Sequence, residues 1–501
     1  MKQMILFFLL LMPGGLAKAQ INPGSFGDDC DAFLQREILG PQFREFVDRV
    51  NSVPADEKQA IIDSFMNAAP SFPFVEEDTI VYYIYQGEAA FINVPGDANH
   101  WDTGGYPMVK LNETSFWYSE AVFESDARLD YKYLLDGSQW IPDPLNPHQV
   151  SGNSELAMPD YVQPPEILYY PDIPHGKIDT FTFTSNILGN SRVIVVYKPF
   201  NYDSSDTDLF PVLLLHDGIQ YIDVGKARNT LDYEIADNKM RPVICVFVPP
   251  VDRENEYAFD LTQQFESFII TELMPHIDSH YRTISDPHYR AMGGLSWGGL
   301  ISTQICYNNP ENFGLSAMFS PAFQPLNMLV FNMVLNGPLE DIKWYIDWGT
   351  YEVSIMEDAV VFRDSLLNKG YELTWNEWHE AHSWGSWRAH LDNALEYLFP
   401  PVVGVKTGIA EPEEFTLMQN YPNPFNPATK ISWQSPVSGW QTLKVYDILG
   451  REVTTLVDEY RPAGRYNVEF IISNEQLSSG VYFYRLKVKD FIQTKKMLLI
   501  K

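Results

Sequence analysis

A serine lies at the centre of the most distinctive short motif in the chain, Gly293-Gly294-Leu295-Ser296-Trp297-Gly298-Gly299. A strand-like run, 289–292, precedes it, and the helix-like run ISTQICYNN follows it. A G-x-S-x-G sequence between a strand and a helix is typical of a nucleophile elbow, whose tight turn tolerates little side chain at its flanking positions. The pattern therefore predicts Ser296 as a nucleophile for acyl transfer, at a helix N-terminus that favours negative charge.

A serine nucleophile needs a base to accept its proton and a carboxylate to orient that base. In folds with a nucleophile elbow, the acid and then the histidine follow the serine along the chain. Downstream of Ser296 lie His379, His382 and His390. We predict His382 as the base, because it lies in the loop between a late strand, 373–378, and the last helix. His379 is too close to that strand, and His390 falls within the helix.

The carboxylate has two candidates in the run Asp347-Trp348-Gly349-Thr350-Tyr351-Glu352. Asp347 is at the end of an apolar strand, whereas Glu352 lies in the following loop, from which it can reach His382. We therefore prefer Glu352 as the acid and keep Asp347 as the alternative. This chemistry requires neither a metal ion nor a cofactor.

The region around these residues alternates apolar runs with amphipathic segments. The runs that predict buried strands are 193–197, 212–215, 243–248, 315–319 and 344–346. The segment 262–281, apolar on one side, predicts a helix. Apolar strands separated by helices indicate a mainly parallel sheet covered on both faces, so the predicted fold class is α/β.

The length and charge of the chain limit the possible partners. At roughly 100 to 200 residues per domain, 501 residues suggest three or four domains. The 35 basic and 66 acidic residues give a formal net charge of −31, which argues against nucleic acid or an anionic membrane surface as a partner. From Phe415 onward, however, 11 basic residues outnumber 7 acidic ones, so the tail differs from the rest.

The N-terminus predicts export. Lys2, the apolar run 5–12 and Ala17-Lys18-Ala19 follow the pattern of a signal peptide and its cleavage site. No later run is long enough for a membrane span, so we expect none in the mature protein. The cysteines, Cys30, Cys245 and Cys306, show no paired spacing, so neither disulfides nor a zinc site is expected. Cys245 and Cys306 are expected to be buried.

Four motifs together resemble the enterochelin esterase and feruloyl esterase group of α/β hydrolases, the esterase D family: GGLSWGG, LLLHDG, WGTYE and HSWGSWR. The resemblance implies an α/β-hydrolase fold and supports Glu352, because the family's acid follows a Gly-Thr-x-Asp/Glu pattern. It also implies an oxyanion hole formed by the backbone N–H of Trp297 and that of Gly218 or Ile219. The family's histidine usually follows glycine, whereas Ala381 precedes His382 here.

The substrate is less well determined. Arg253, Tyr257, Trp348 and Trp384 are candidates to hold an aromatic acyl group or a catecholate, with core packing as the alternative. We expect a feruloyl, acetyl or related ester, which a polysaccharide could carry. The trilactone ester of a catecholate siderophore is the alternative substrate.

Before the α/β region, short aromatic and β-branched runs from 79 to 163 predict a small β-sandwich. The run Gly96-Asp97-Ala98-Asn99-His100-Trp101 and later motifs resemble the early-set, immunoglobulin-like modules related to glycogen-binding domains. The resemblance implies a carbohydrate platform at Trp101, Lys132, Trp140 and Asn153. Packing of these aromatics against the catalytic domain is the alternative.

After a linker, short alternating strands predict a last β-sandwich. Its opening Asn420-Tyr421-Pro422-Asn423-Pro424-Phe425-Asn426-Pro427, its Gly480-Val481-Tyr482-Phe483 strand and its basic end resemble the C-terminal sorting domains of type IX secretion cargo. The resemblance implies a partner, the type IX secretion machinery, and passage from the periplasm to the cell surface or beyond.

The predicted domains are a signal peptide (1–19), a helical lead-in (20–74), a β module (75–163), the hydrolase (164–402), a linker (403–413) and the sorting domain (414–501). The resulting hypothesis is a secreted serine carboxylic-ester hydrolase. Two alternatives stay open: an inactive hydrolase fold that acts as a carbohydrate-binding surface protein, and a serine peptidase.

Overall fold

The computed structural model describes residues 40–401, 414–437, 439–461, 464–472, 477–489 and 491–500. The predicted signal peptide, Cys30 and the linker 403–413 lie outside these residues. The chain divides into two compact units. The first ends at Tyr161 and omits Arg128–Asp130 and Val150–Gly152, which group with the second unit and its residues from Val162 onward. The finer division into domains stays a prediction.

The described part of the first unit begins with two helices, α1 (Pro41–Ser52) and α2 (Ala55–Ala68). In α1 the buried side chains follow the helical period: Phe43, Phe46, Val47 and Val50. Phe43 stacks on Tyr82 of a neighbouring strand, with 3.8 Å between ring centroids. The apolar face of α1 therefore packs on the β part of its own unit.

Short strands follow these helices along the chain. They are β1 (Phe74–Glu76), β2 (Ile80–Gln86), β3 (Ile92–Asn93), β4 (Val109–Lys110), β5 (Phe116–Val122), β6 (Arg128–Tyr131), β7 (Tyr133–Leu135), β8 (Gln139–Ile141), β9 (Gln149–Val150) and β10 (Asn153–Ala157). Two of them, β6 and β9, include residues that group with the second unit. The strand orders are β1-β2-β5-β4, β3-β7-β8 and β6-β10-β9. The predicted β-rich N-terminal region is confirmed.

One large sheet organises the second unit. Its strands are β11 (Lys177–Ser185), β12 (Asn190–Lys198), β13 (Val212–His216), β14 (Ile244–Val248), β15 (Arg290–Leu295), β16 (Leu315–Phe319), β17 (Lys343–Gly349) and β18 (Glu372–Trp378). Their order is β11-β12-β14-β13-β15-β16-β17-β18, and from β14 to β18 all neighbours are parallel. The predicted α/β class with a mainly parallel sheet is confirmed.

Helices cover both faces of this sheet. They are α3 (Ile219–Asp223), α4 (Ala227–Ala236), α5 (Arg253–Tyr257), α6 (Thr262–Phe268), α7 (Met274–His280), α8 (Trp297–Asn308), α9 (Pro325–Asn336), α10 (Val353–Lys369), α11 (Trp384–Ala389) and α12 (Leu391–Leu398). Along β13, Val212 and Leu214 enter one hydrophobic core, and Leu213 and Leu215 enter the other. This alternation places a core on each face of the sheet.

Two predicted features differ in detail. The helix predicted at 262–281 contains a π-helical segment, Ile269–Leu273, between α6 and α7. His390 lies at the junction of α11 and α12 rather than within a helix. Cys245 and Cys306 are buried, as predicted.

The described tail residues form two further sheets, β19-β20-β23 and β22-β21-β24-β25. The strands are β19 (Thr416–Leu417), β20 (Ala428–Ser435), β21 (Gly439–Tyr446), β22 (Glu452–Arg461), β23 (Gly464–Ile471), β24 (Gly480–Val488) and β25 (Phe491–Leu499). They enclose a core of their own that includes Trp433 and Tyr484. The predicted C-terminal β region is confirmed.

Candidate active site

Ser296 occupies a strained turn between β15 and α8. Its backbone has φ 56° and ψ −120°, a combination that L-residues rarely adopt. Its N–H donates to the carbonyl of Phe319 at 2.8 Å, which fixes the turn on the end of β16. A Cβ on Gly294 would lie 2.5 Å from the carbonyl carbon of Gly298, so the turn requires glycine there. This is the geometry of a nucleophile elbow.

The parallel sheet places the predicted triad at one edge. In its register Leu295 pairs with Phe319, Phe319 with Asp347, and Gly349 with Trp378. Each of β15, β17 and β18 is followed by a predicted catalytic residue, in the order serine, glutamate, histidine. Because these strands are parallel, all three residues follow carboxyl ends at the same edge.

Glu352 and His382 form a hydrogen bond. The Nδ1 atom of His382 lies 2.6 Å from Oε2 of Glu352, whose side chain is buried. The other carboxylate oxygen, Oε1, accepts from the N–H of Gly349 at 2.8 Å and from the hydroxyl of Ser320 at 2.7 Å. The carboxylate is therefore held from two sides, and it orients an imidazole that is partly open to solvent.

Ser320 is a member of this site that the sequence reasoning missed. The residue is buried, donates its hydroxyl to Glu352 and accepts the indole N–H of Trp387 at 2.9 Å. Trp387 in turn packs edge-on against His382, with ring centroids 4.8 Å apart. Ser320 directly follows the predicted strand 315–319, so its position at the carboxyl edge was the available signal.

Asp347, the alternative acid, is turned elsewhere. Its carboxylate accepts from the hydroxyl of Tyr345 at 2.9 Å, within β17. Burial raises the pKa of Asp347 to about 7. The structure thus brings Glu352, and not Asp347, into hydrogen-bond contact with His382.

The predicted oxyanion donors lie at two neighbouring helix starts. Trp297 is the first residue of α8 and Ile219 the first of α3, and the first N–H groups of a helix have no intrahelical acceptor. A Cβ on Gly298 would lie 3.0 Å from Oδ2 of Asp217, so the two loops are adjacent. Gly218 has φ +51°, and a Cβ there would lie 2.5 Å from the nitrogen of Pro249.

Two of the predicted substrate contacts are partly exposed. Arg253 is held by Asp217 through contacts of 2.6 and 3.1 Å, and its guanidinium lies 5.8 Å from the ring centroid of Trp297. Its side chain is 35% exposed, which leaves it accessible to a ligand. Trp384, also partly exposed, packs edge-on against Tyr221.

The prediction of substrate contact is wrong for Tyr257 and Trp348. Tyr257 is 0% exposed and its hydroxyl accepts the N–H of Asp217, so it supports the loop from within the core. Trp348 is 1% exposed, and its indole N–H donates to Glu377 at 2.9 Å. Neither side chain can touch a substrate in this arrangement.

In the first unit, Trp101 and Trp140 lie near each other, with ring centroids 6.5 Å apart and planes tilted by 35°. Trp140 is 44% exposed, and Trp101, Lys132 and Asn153 are partly exposed. The indole N–H of Trp101 donates to Asp97 at 3.0 Å. Two accessible indoles are thus close together on this unit.

Within the described residues, no group of three or more His, Cys, Asp or Glu side chains is arranged to hold a metal ion. In the same part of the chain, none of the helices combines the length and apolar character needed to cross a membrane.

Comparison with known families identifies two parts of the chain. Residues 185–398, which include Ser296, Glu352 and His382, match the family described as "Putative esterase". This part of the chain is therefore similar to the esterase family and forms an esterase-like domain. Residues 419–501, outside this esterase domain, match the secretion system C-terminal sorting domain. Both recognitions made from sequence motifs are confirmed.

Two curated relatives of the chain are named as esterases. An endo-1,4-beta-xylanase/feruloyl esterase of Xylanibacter ruminicola is 34% identical over 165 residues, 30% of this chain but only 22% of that protein. The iron(III) enterobactin esterase of Yersinia enterocolitica is 23% identical over 257 residues, 43% of this chain and 71% of that protein. The chain therefore spans about a fifth of the first relative's length.

A solved structure shows the same fold. The ferric enterobactin esterase of Salmonella typhimurium superposes with a TM-score of 0.59 at 17% identity, covering 67% of this chain and 98% of that one.

Proposed function

We propose that the protein is a secreted serine carboxylic-ester hydrolase with Ser296, His382 and Glu352 as its triad. The observation that carries the proposal is the 2.6 Å contact between His382 and Glu352, at the sheet edge where a strained turn presents Ser296. Because Nδ1 donates to Glu352, Nε2 of the neutral imidazole is left as the proton acceptor.

The reaction follows from these roles. Ser296 Oγ attacks the ester carbonyl as His382 Nε2 takes its proton. The N–H groups of Trp297 and of Gly218 or Ile219 stabilise the oxyanion, and one such donor typically contributes about 3 to 4 kcal/mol. His382 then protonates the departing alcohol. Water, deprotonated by His382, attacks the acyl-enzyme, and the acid leaves as Ser296 regains its proton.

For the substrate, we favour a feruloyl, acetyl or related ester attached to polysaccharide. Two observations support this choice: the name of the Xylanibacter relative, and the accessible indoles of Trp101 and Trp140, which lie close to each other. In this hypothesis Trp101, Lys132, Trp140 and Asn153 hold the glycan while the esterase domain cleaves the ester. A catecholate siderophore trilactone is the alternative, supported by the name of the Yersinia relative. Arg253 and Trp384 are the residues proposed to contact either acyl group.

For location, we propose export to the periplasm by the signal peptide, followed by type IX secretion to the cell surface or the medium. The support is the sorting domain at 419–501.

The test is ester hydrolysis by the purified chain and its Ser296→Ala variant, first on p-nitrophenyl acetate and then on methyl ferulate, acetylated xylan and a catecholate trilactone. We expect turnover by the wild type and loss of at least about 10³-fold in the variant. Equal rates for both would contradict the enzyme proposal. Polysaccharide binding that depends on Trp101 and Trp140, without any ester cleavage, would favour the inactive-hydrolase alternative.

A further inference from the structure

A buried histidine that takes no part in the proposed reaction lies next to the His382 loop. His390, 8% exposed, places Nε2 2.8 Å from Oε1 of Glu380, which is 2% exposed. The imidazole also stacks flat on Trp378, with 4.0 Å between centroids and 2° between planes. The hydrogen bond to Glu380 and the ring stack on Trp378 therefore attach His390 to residues 378–380, the segment that leads to His382.

Glu380 ties that segment to the turn that carries Glu352. Its carbonyl accepts the N–H of Tyr351 at 3.1 Å, and the carbonyl of Trp378 accepts the N–H of Thr350 at 2.8 Å. A Cβ on Gly349 would lie 2.1 Å from the carbonyl oxygen of Glu380, so the two backbones are in direct contact. The His382–Glu352 hydrogen bond spans the same two segments.

Acidic groups surround His390. Burial acts to lower its pKa, but the carboxylates of Glu380, Asp347 and Asp392 outweigh this effect, and the pKa of His390 is raised. These groups come from the His382 loop, from β17 and from α12. A protonated His390 strengthens its hydrogen bond to Glu380 by charge.

We propose that His390 and Glu380 are positioning residues, which hold the backbone of the His382 loop so that Nδ1–H of His382 stays on Glu352. The kinetic part of this inference rests on the proposed function. When the hydrogen bond between His390 and Glu380 is removed, the backbone of the His382 loop is less constrained. The distance between the His382 imidazole and the Glu352 carboxylate is then no longer fixed.

Two substitutions separate the hydrogen bond from the ring stack. His390→Phe keeps a ring on Trp378 but has no donor, whereas His390→Gln keeps an N–H donor for Glu380 and loses the ring. For p-nitrophenyl acetate we expect His390→Phe to lower kcat by about 10²-fold at unchanged KM, as misplacement does. His390→Gln should recover at least about tenfold of that loss. Equal kcat for His390→Phe and the wild type would overturn the proposal.

A second readout does not depend on turnover. The proton between His382 and Glu352 should give a low-field NMR resonance, assigned by its absence in His382→Ala. We expect this resonance to disappear or broaden in His390→Phe and to persist in His390→Gln. Its unchanged presence in His390→Phe, or its absence from the wild type, would overturn the proposal even if no ester is cleaved. Turnover that fails while the resonance responds as expected would count against the proposed function alone.

Because a substitution at the buried His390 can prevent folding, a second variant, Glu380→Gln, tests the same contact from its other partner with a side chain of nearly the same shape. Its amide oxygen accepts from neutral His390 but carries no charge. We expect about a tenfold lower kcat at unchanged KM, with the circular dichroism spectrum of the wild type. A kcat and a low-field resonance equal to those of the wild type would contradict the positioning role.

Discussion

Two buried carboxylates, one within β17 and one in the loop after it, have different hydrogen-bond partners. Glu352 accepts from His382, Ser320 and a backbone N–H, whereas Asp347 is buried beside Tyr345. We predict that Glu352→Gln lowers kcat for ester hydrolysis by about 10⁴-fold, because an amide does not favour the imidazolium or the required tautomer. Asp347→Asn is the matched control and should change kcat less than about tenfold. The reverse order of effects, measured with p-nitrophenyl acetate, would reassign the acid to Asp347.

Ser320 supports the acid through one hydroxyl. Ser320→Ala removes a hydrogen bond to a buried carboxylate and leaves the indole N–H of Trp387 without its acceptor. We predict a loss of about 1 to 3 kcal/mol in unfolding free energy and a fall in kcat at unchanged KM, measured by thermal denaturation and steady-state kinetics. Ser320→Thr, which keeps the hydroxyl, should retain more activity than Ser320→Ala, and an equal loss in both would refute the role of the hydroxyl.

The positions of several strands follow from local pattern, whereas the order of the strands in the sheet was not predicted. The strands predicted at 212–215 and 315–319 lie within β13 and β16, because short continuous apolar runs are typical of strands that are buried on both faces of a parallel sheet. Ser296, Glu352 and His382 could be placed at one edge because each follows a parallel strand. Ser320 could not be assigned a role, since its bonds join segments distant in sequence. For the same reason the sequence left open whether Tyr257 and Trp348 contact the substrate or pack in the core, and the structure shows that they are buried.

The elbow depends on glycine at close approach. We predict that Gly294→Ala lowers the stability of the esterase domain by about 1 to 3 kcal/mol, because the new Cβ meets the backbone of Gly298 at 2.5 Å. Gly104→Ala is a matched control, since the nearest atom to its Cβ is 3.7 Å away. Differential scanning calorimetry should show a lower Tm only for Gly294→Ala. Equal Tm values would mean that the turn relaxes freely.

The stability of the whole chain should depend on pH through buried acids. The folded-state pKa of Asp347 is raised from 3.8 to about 7, mainly by burial. Its stabilising contribution is therefore fully present below pH 3.8 and is lost as the pH rises through about 7. We predict that Asp347→Asn raises Tm relative to the wild type more at pH 8 than at pH 5. The opposite trend in calorimetric scans would show that this carboxylate is stabilised as the charged form.

Both its charge and the family comparison distinguish the C-terminal tail from the rest of the chain. The tail from Phe415 is slightly basic in a chain of net charge −31, and residues 419–501 match a sorting domain. We predict that deleting residues 414–501 leaves kcat and KM of the purified protein unchanged but retains the protein inside a host with type IX secretion. Fractionation of cells and medium, with the full chain as control, measures this. Secretion of the truncated chain would show that residues 414–501 are not required as a sorting signal.

The proposed reaction depends on the activation of Ser296 by His382 and Glu352. This activation is tested most directly by intact-mass and peptide mass spectrometry of the full chain after reaction with a fluorophosphonate. We predict one adduct, on the peptide that contains Ser296, at a rate that falls by at least about 10²-fold in His382→Ala and in Glu352→Gln. No adduct on Ser296, or one that forms equally fast in all three proteins, would contradict it.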